Sequence, residues 1–298
     1  MDKILLIGAA GQVGQELTQT LPALGEVIAV SRTELDLTDS DAISTTIQRT
    51  QPQIIVNAAA YTAVDRAETE SELAHQINDA APGAIAQAAE RLNARLVHIS
   101  TDYVFDGTKG SPYLEDDPTR PIGTYGQSKL AGEQAVAQDC SRHIILRTAW
   151  VYGVHGKGNF VKTMLRLGCD RESLSVVADQ IGTPTWSKDI AEAIVALLQR
   201  QSESPDEVPS GIYHFTNSGA ASWYDFAQAI FEEAQAIGFP IKLKTLNPIT
   251  TADYPTPAQR PAYSVLGWTK TAQAIGHSAP HWRSSLRQML KDFKSAQS

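Results

Sequence analysis

Cysteine, long apolar runs and positive charge are all scarce in this chain of 298 residues. Its two cysteines, Cys140 and Cys169, make no disulfide framework. Nothing marks an oxidising compartment either, so both read as ordinary thiols. The first apolar run, residues 4–7, stops at Gly8. It is too short for the core of a secretion signal, and no other run approaches the length of a membrane span. Lys and Arg number 25 against 33 Asp and Glu, a net charge of -8. That balance disfavours nonspecific binding to nucleic acid or to an anionic membrane, since both need positive potential. There is no block of like charges, no internal repeat and no low-complexity tract. The expectation is a cytoplasmic protein without nucleic-acid or membrane partners.

What is present fits an ordinary globular protein, 42% hydrophobic and 19% charged. The length allows one large domain or two modest ones. Short apolar runs recur at 4–7, 27–30, 54–56, 96–99 and 144–146, and each suits a strand buried on both faces. Helical patterns separate them, at 12–21, 42–49 and 80–92. This alternation predicts an α/β fold with a doubly wound parallel sheet. Beyond Trp150 the pattern breaks up, with Gly153, Gly156, Gly158 and Pro184, and later Pro248, Pro255, Pro257 and Pro261. Ser187 is placed to cap a helix over 188–200, residues 202–210 form a polar loop, and 212–215 reads as a strand returning to the main sheet. The expected division is a dinucleotide-binding domain at 1–150 plus about 186–217, and a smaller, discontinuous C-terminal substrate lobe at 151–185 and 218–298.

The turn Gly8-Ala9-Ala10-Gly11-Gln12-Val13-Gly14 lies between a buried strand and a helix, the context a dinucleotide fingerprint requires. Gly8 permits the tight turn, Gly11 lets backbone approach a pyrophosphate, and Gly14 lets the helix pack closely on the strand. The helix start supplies unpaired N–H groups and a positive dipole end. The second strand ends in Ser31-Arg32, with no acid there to accept from a ribose 2′-hydroxyl. Arg32 suits a 2′-phosphate, which favours NADPH over NADH, although it reads equally as a solvated surface side chain. Asp36 and Leu37 follow the strand, either flanking the adenine or with Asp36 capping a helix.

Tyr125 and Lys129 are four apart and share one face if their segment is helical. A neighbouring ammonium is expected to lower the phenol from its usual value near 10 and make Tyr125 a usable general acid. The spacing alone is common. Its position after a strand ending at Ser100-Thr101 is not, because doubly wound sheets bind ligands at that edge.

With these residues identified, the chain resembles the extended short-chain dehydrogenase/reductases, which have a Rossmann fold. Within them it resembles the reductases of nucleotide-linked 4-keto-6-deoxy sugars. The resemblance covers most of the chain. It is carried by the glycine turn, Asn57-Ala58-Ala59-Ala60-Tyr61-Thr62-Ala63-Val64-Asp65, the segments 100–105, 125–129, 147–153 and 179–185, Gly158-Asn159-Phe160 and Arg260-Pro261. It implies NADPH, or NADH, as hydride donor and dTDP-4-dehydro-L-rhamnose as substrate, in the synthesis of dTDP-rhamnose for cell-surface polysaccharide. Catalysis would fall to Thr101, Tyr125 and Lys129. Ala58, Ala59 and Ala60 would let the cofactor pass the third strand. Thr62, Val64, Tyr103 and Trp150 would contact the sugar, with Arg260 reaching the diphosphate. Trp150 as plain core and Arg260 as a surface residue remain the alternatives. Related dehydratases carry an Asp-Glu pair after the Thr. Here Tyr103 holds the second position, and a neutral phenol is a poor base. Some reductases of this group form a Mg-bridged dimer through several glutamates. Glu16 matches one, but Lys188 stands where another is expected and Asp292 is only a loose candidate. A hard cation wants several oxygen ligands, so a metal is doubtful and a monomer or weak homodimer is expected. The competing expectations are an epimerase or dehydratase that retains its NAD, and a non-catalytic NADP-binding regulatory subunit.

Overall fold

The computed structural model describes residues 2–296. Its first half runs β1 (Asp2–Ile7), α1 (Gln12–Thr20), β2 (Gly25–Val30), α2 (Ser40–Thr50) and β3 (Ile54–Asn57). It continues through α3 (Val64–Ala67), α4 (Ser71–His75), a π-helical turn at Gln76–Ala80 and α5 (Ala81–Arg91) to β4 (Arg95–Thr101), α6 (Thr124–Asp139) and β5 (His143–Thr148). The second half holds β6 (Val151–Tyr152), α7 (Phe160–Asp170), β7 (Ser173–Val177), β8 (Ile181–Gly182), β9 (Thr185–Trp186), α8 (Ser187–Glu203) and β10 (Gly211–His214). It ends with β11 (Ala221–Ser222), α9 (Trp223–Ala236), β12 (Thr245–Ile249), α10 (Thr269–Ile275) and α11 (Trp282–Ser295).

Six strands form one parallel sheet in the order β10-β5-β4-β3-β1-β2. Parallel neighbours need crossovers, and here helices supply them, covering both faces. The period of two along β1 sorts its side chains. Ile4 and Leu6 join the core beneath α8 and α10, with Ile190, Ile194 and Ile275. Leu5 and Ile7 join the opposite core, with Ile43 and Ile47 of α2, Ile85 of α5 and Val136 of α6. The chain leaves β1 on one side for β2 and returns to the other side for β3. The switch point therefore lies between β1 and β3, where such sheets leave a crevice at their carboxyl edge.

The predicted doubly wound α/β fold is the observed one, and β10 does return to the main sheet. A second core lies outside the sheet. Tyr152, Val161, Leu165, Phe226, Leu286 and Met289 belong to it, and its strands occur only as the pairs β7–β12, β8–β11 and β6–β9. Helix α10, which the sequence reading put in the smaller lobe, packs instead on β10 and α8. Ser187 does not cap α8. It is that helix's first residue, and its hydroxyl donates to Glu16 Oε1 of α1 at 3.2 Å.

One buried ion pair fastens α6 to β5. Arg147 Nε and Nη2 donate to Glu133 Oε1 and Oε2 at 2.9 and 2.7 Å, with both side chains almost wholly buried. Ser100 Oγ of β4 donates to the same carboxylate. Removing one partner strands the other charge, so Glu133→Ala is expected to cost about 3–5 kcal/mol of stability in urea denaturation. A loss below roughly 1 kcal/mol, the scale of an exposed pair, would refute this assignment.

Candidate active site

Gly8 takes φ +88, and a Cβ there would stand 2.6 Å from the Ala59 backbone nitrogen at the end of β3. Only glycine lets the β1 turn lie against β3 in this way. Gly11 N–H donates to Gly8 O at 3.0 Å. Gly11 then precedes α1 without a side-chain cap, which leaves first-turn N–H groups for an anion. Val13 and Gly14 are buried in α1. Gln12 turns towards the second lobe: Asn159 Nδ2 donates to its Oε1 at 2.7 Å, while Asn159 Oδ1 caps α7 by accepting Lys162 N–H at 3.0 Å. Ala58, Ala59 and Ala60 lie half-buried beyond β3. This cradle fits a dinucleotide: close backbone, open N–H groups and no side chain filling the turn.

At the end of β2, Arg32 is exposed. Ser31 donates its N–H and its hydroxyl to Glu34 Oε2, at 2.8 and 2.9 Å. These two hydrogen bonds, the backbone one first, hold the Glu34 carboxyl below its ordinary value. Sequence reasoning missed Glu34 because it sought an acid at the strand end, and this one folds back from three residues beyond Ser31. Asp36 accepts from Thr38 N–H and Oγ1, both at 3.0 Å, whereas Asp39 caps α2. Leu37 packs into the core shared with α2 and α5.

Thr101, Tyr125 and Lys129 come together where α6 crosses the end of β4. A Cβ on Gly126 would stand 2.2 Å from the Tyr103 carbonyl oxygen, so the crossing needs glycine next to the tyrosine. Glu68 secures the start of the helix by accepting Thr124 N–H at 2.9 Å and Thr124 Oγ1 at 3.0 Å. Thr101 Oγ1 accepts Tyr103 N–H at 3.2 Å and donates to Asp102 Oδ1 at 3.1 Å. Asp102 is buried with Oδ2 unpartnered, and burial pushes its carboxyl up to about 6 against the hydrogen bonds from Ser264 and Thr101.

The electrostatics correct one expectation. Lys129 does not lower Tyr125: burial pushes the phenol up to about 12, with the Thr101 hydrogen bond opposing. The Lys129 ammonium is turned elsewhere, donating to Ile99 O at 2.7 Å and lying 3.3 Å from His98 Nε2. Burial lowers Lys129 itself to about 8, and Glu133 works against that shift. Tyr125 thus holds its proton firmly at neutral pH.

The remaining sequence candidates are spread around this edge. Tyr103 meets Tyr125 edge-on, ring centroids 5.5 Å apart. Thr62 is exposed and Val64 opens α3. Arg260 donates to Asp65 Oδ2 at 2.8 Å and to Thr256 Oγ1 at 2.5 Å, so Asp65 already neutralises it. Trp150 adopts φ +47, rare for a bulky residue, and stacks on Trp223 with centroids 3.5 Å apart and planes 4° from parallel. Lys188 and Asp292 both lie within electrostatic reach of Glu16. Among the described residues no group of three or more His, Cys, Asp or Glu converges.

Three buried polar residues were missed. Asn78, in the π-helical turn, accepts Tyr61 N–H at 2.8 Å and donates to Tyr61 O at 3.0 Å and Ser128 Oγ at 3.1 Å. It thereby ties the segment after β3 to α6, and no local pattern announces it. His98 and Asn57 did leave a signal, as polar residues at apolar strand positions.

A nucleotide cradle at the switch point beside a Thr–Tyr–Lys group defines an NAD(P)H-dependent oxidoreductase of the extended short-chain dehydrogenase/reductase class. The comparisons with known proteins narrow that class. The family model described as RmlD substrate binding domain matches residues 1–295. The dTDP-4-dehydrorhamnose reductase of Escherichia coli (strain K12) is 45% identical over 295 residues, covering 97% of each chain. A crystal structure of the reductase from Clostridium acetobutylicum superposes with a TM-score of 0.90 at 38% identity, covering 98% of this chain and 99% of that one. The Bacillus anthracis reductase, in complex with NADP, gives 0.88 at 36% identity with the same coverage. The chain belongs to the RmlD family, that of the dTDP-4-dehydrorhamnose reductases.

Gly126→Ala tests the crossing. The added methyl is expected to lift α6 from β4 and lower kcat/KM on the order of 100-fold, with the far-UV circular dichroism unchanged. A wild-type rate would show that the crossing does not set the geometry.

Proposed function

We propose that this chain reduces dTDP-4-dehydro-L-rhamnose to dTDP-L-rhamnose with NADPH, in the cytoplasm, for dTDP-rhamnose supply. The observation that carries the reading is the grouping of Thr101, Tyr125 and Lys129 at the sheet edge that also bears the glycine turn. The related reductases' names and the NADP bound to one of them support it.

Gly8, Gly11 and the start of α1 would hold the pyrophosphate, with Ala58, Ala59 and Ala60 beside it. When bound, the nicotinamide supplies hydride to C4 of the sugar. Tyr125 gives its proton to O4 as the carbonyl becomes a hydroxyl. A phenol raised to about 12 is fully protonated at neutral pH, and the developing alkoxide is basic enough to take the proton. Thr101 has one hydroxyl hydrogen, now on Asp102. To polarise the carbonyl the hydroxyl must turn from Asp102 to O4. Burial also raises the Tyr103 phenol, Asp102 adding to the effect. That removes Tyr103 as a base and argues against dehydration. Arg32 would pair with a 2′-phosphate. Glu34 opposes this by holding the Ser31 N–H and hydroxyl, so the expected preference for NADPH would leave NADH usable.

Loss of NADPH absorbance with dTDP-4-dehydro-L-rhamnose, one NADPH per sugar, is the direct test; no oxidation despite cofactor binding would overturn the reading. Tyr125→Phe is expected to bind NADP+ normally while kcat falls about 10²–10⁴-fold. Arg32→Ala is expected to weaken NADP+ about tenfold more than NAD+, and Glu34→Gln to move the ratio the other way, in equilibrium titrations. Equal effects on both nucleotides would remove these residues from cofactor selection.

A further inference from the structure

Beneath the catalytic helix, Asn57, His98 and Lys129 form a buried polar chain, each exposed by 1% or less. Asn57 Oδ1 accepts the Ala59 N–H at 3.2 Å, so its amide nitrogen is the atom facing His98 Nδ1, also at 3.2 Å. An amide nitrogen only donates. His98 Nδ1 therefore accepts, and the ring's single hydrogen sits on Nε2. That N–H points at Lys129 Nζ, 3.3 Å away. An ammonium has only hydrogens to offer and meets it donor to donor, whereas an amine has a lone pair and accepts. The contact from Lys129 to Ile99 O suits either form.

We propose that His98 is a positioning residue for Lys129: Asn57 fixes its tautomer, and the resulting Nε2–H favours the amine and primes the ammonium to release a proton. The tautomer stands apart from the reductase reading; only the turnover readout rests on it, through the role that reading gives the Lys129 ammonium of holding the nicotinamide ribose. The step moves one proton and no electrons. An N–H bond on Nζ breaks, its proton passes to solvent base, and the pair left on nitrogen accepts from the His98 Nε2–H. The surroundings agree. From α6 itself Lys129 faces Glu133, which raises it, and Glu133 is held in turn by Arg147 of β5. Tyr125 lies one turn earlier on α6, and Asp102 lies beyond the end of β4. Burial, then the Lys129 charge, keep the His98 ring neutral.

Nitrogen NMR of protein carrying 15N-labelled histidine reads the tautomer without turnover. The proton of His98 is expected on Nε2 from about pH 6 to 9, and a proton on Nδ1 would overturn the proposal even if the reductase reading stands. Asn57→Asp supplies the second arm. Its carboxylate accepts from Nδ1–H, which frees Nε2 to accept from the ammonium. The alkaline limb of the kcat profile for NADPH oxidation is then expected to rise by about one pH unit. A limb that stays in place while NMR shows the switched tautomer would also overturn it. Should the variant fail to fold, the wild-type spectrum decides alone.

Discussion

The approach of α6 to the end of β4 is the constraint on which the site depends. Gly126 brings helix backbone against the Tyr103 carbonyl, and that approach sets Tyr125 beside Thr101 and Lys129 against the Ile99 carbonyl of β4. Two glycines inside a helix cost about 1 kcal/mol each relative to alanine. Here Gly126 and Gly132 spend that stability on proximity, the second lying against the Asn78 carbonyl oxygen. Tertiary ties then offset a weak helix start: Glu68 holds Thr124, and the buried Glu133–Arg147 pair holds the middle. Each tie comes from a different element, so the geometry of the candidate site is a property of the assembled sheet and not of the helix.

The sheet was legible in the sequence because buried parallel strands read as continuous apolar runs, and five such runs alternate with helical patterns. The glycine turn and the Thr–Tyr–Lys group were legible for a related reason, since their meaning comes from position relative to those runs. The short strand pairs of the second lobe left no comparable trace. Two-residue strands such as β6 and β9 are too short for any period, and their pairing is set by the aromatic core around Phe226. The place of α10 against β10 was also hidden, because a seven-residue helix does not declare its partner.

The site was less legible than the fold wherever charge had to be placed. The spacing of Tyr125 and Lys129 suggested direct electrostatic help, yet Lys129 spends its contacts on Ile99 O and His98. Burial therefore governs both groups, moving the phenol up and the ammonium down. Sequence distance says which side chains share a face. It does not say which strand residue will meet them, and His98 is such a residue. Arg260 is a further case: the resemblance implied a diphosphate contact or a surface position, and neither announced the Asp65 carboxylate that it meets within the chain itself.

Gln12 belongs at once to the glycine turn and, through Asn159, to the cap of α7. A ligand at the turn that alters the Gln12 carbonyl contact alters the anchoring of a helix in the other lobe. Thermodynamic linkage then runs in both directions: whatever factor a ligand at the turn imposes on the affinity of the second lobe for another ligand, that ligand imposes on the first. The coupling between the two regions is in this sense written into one side-chain amide.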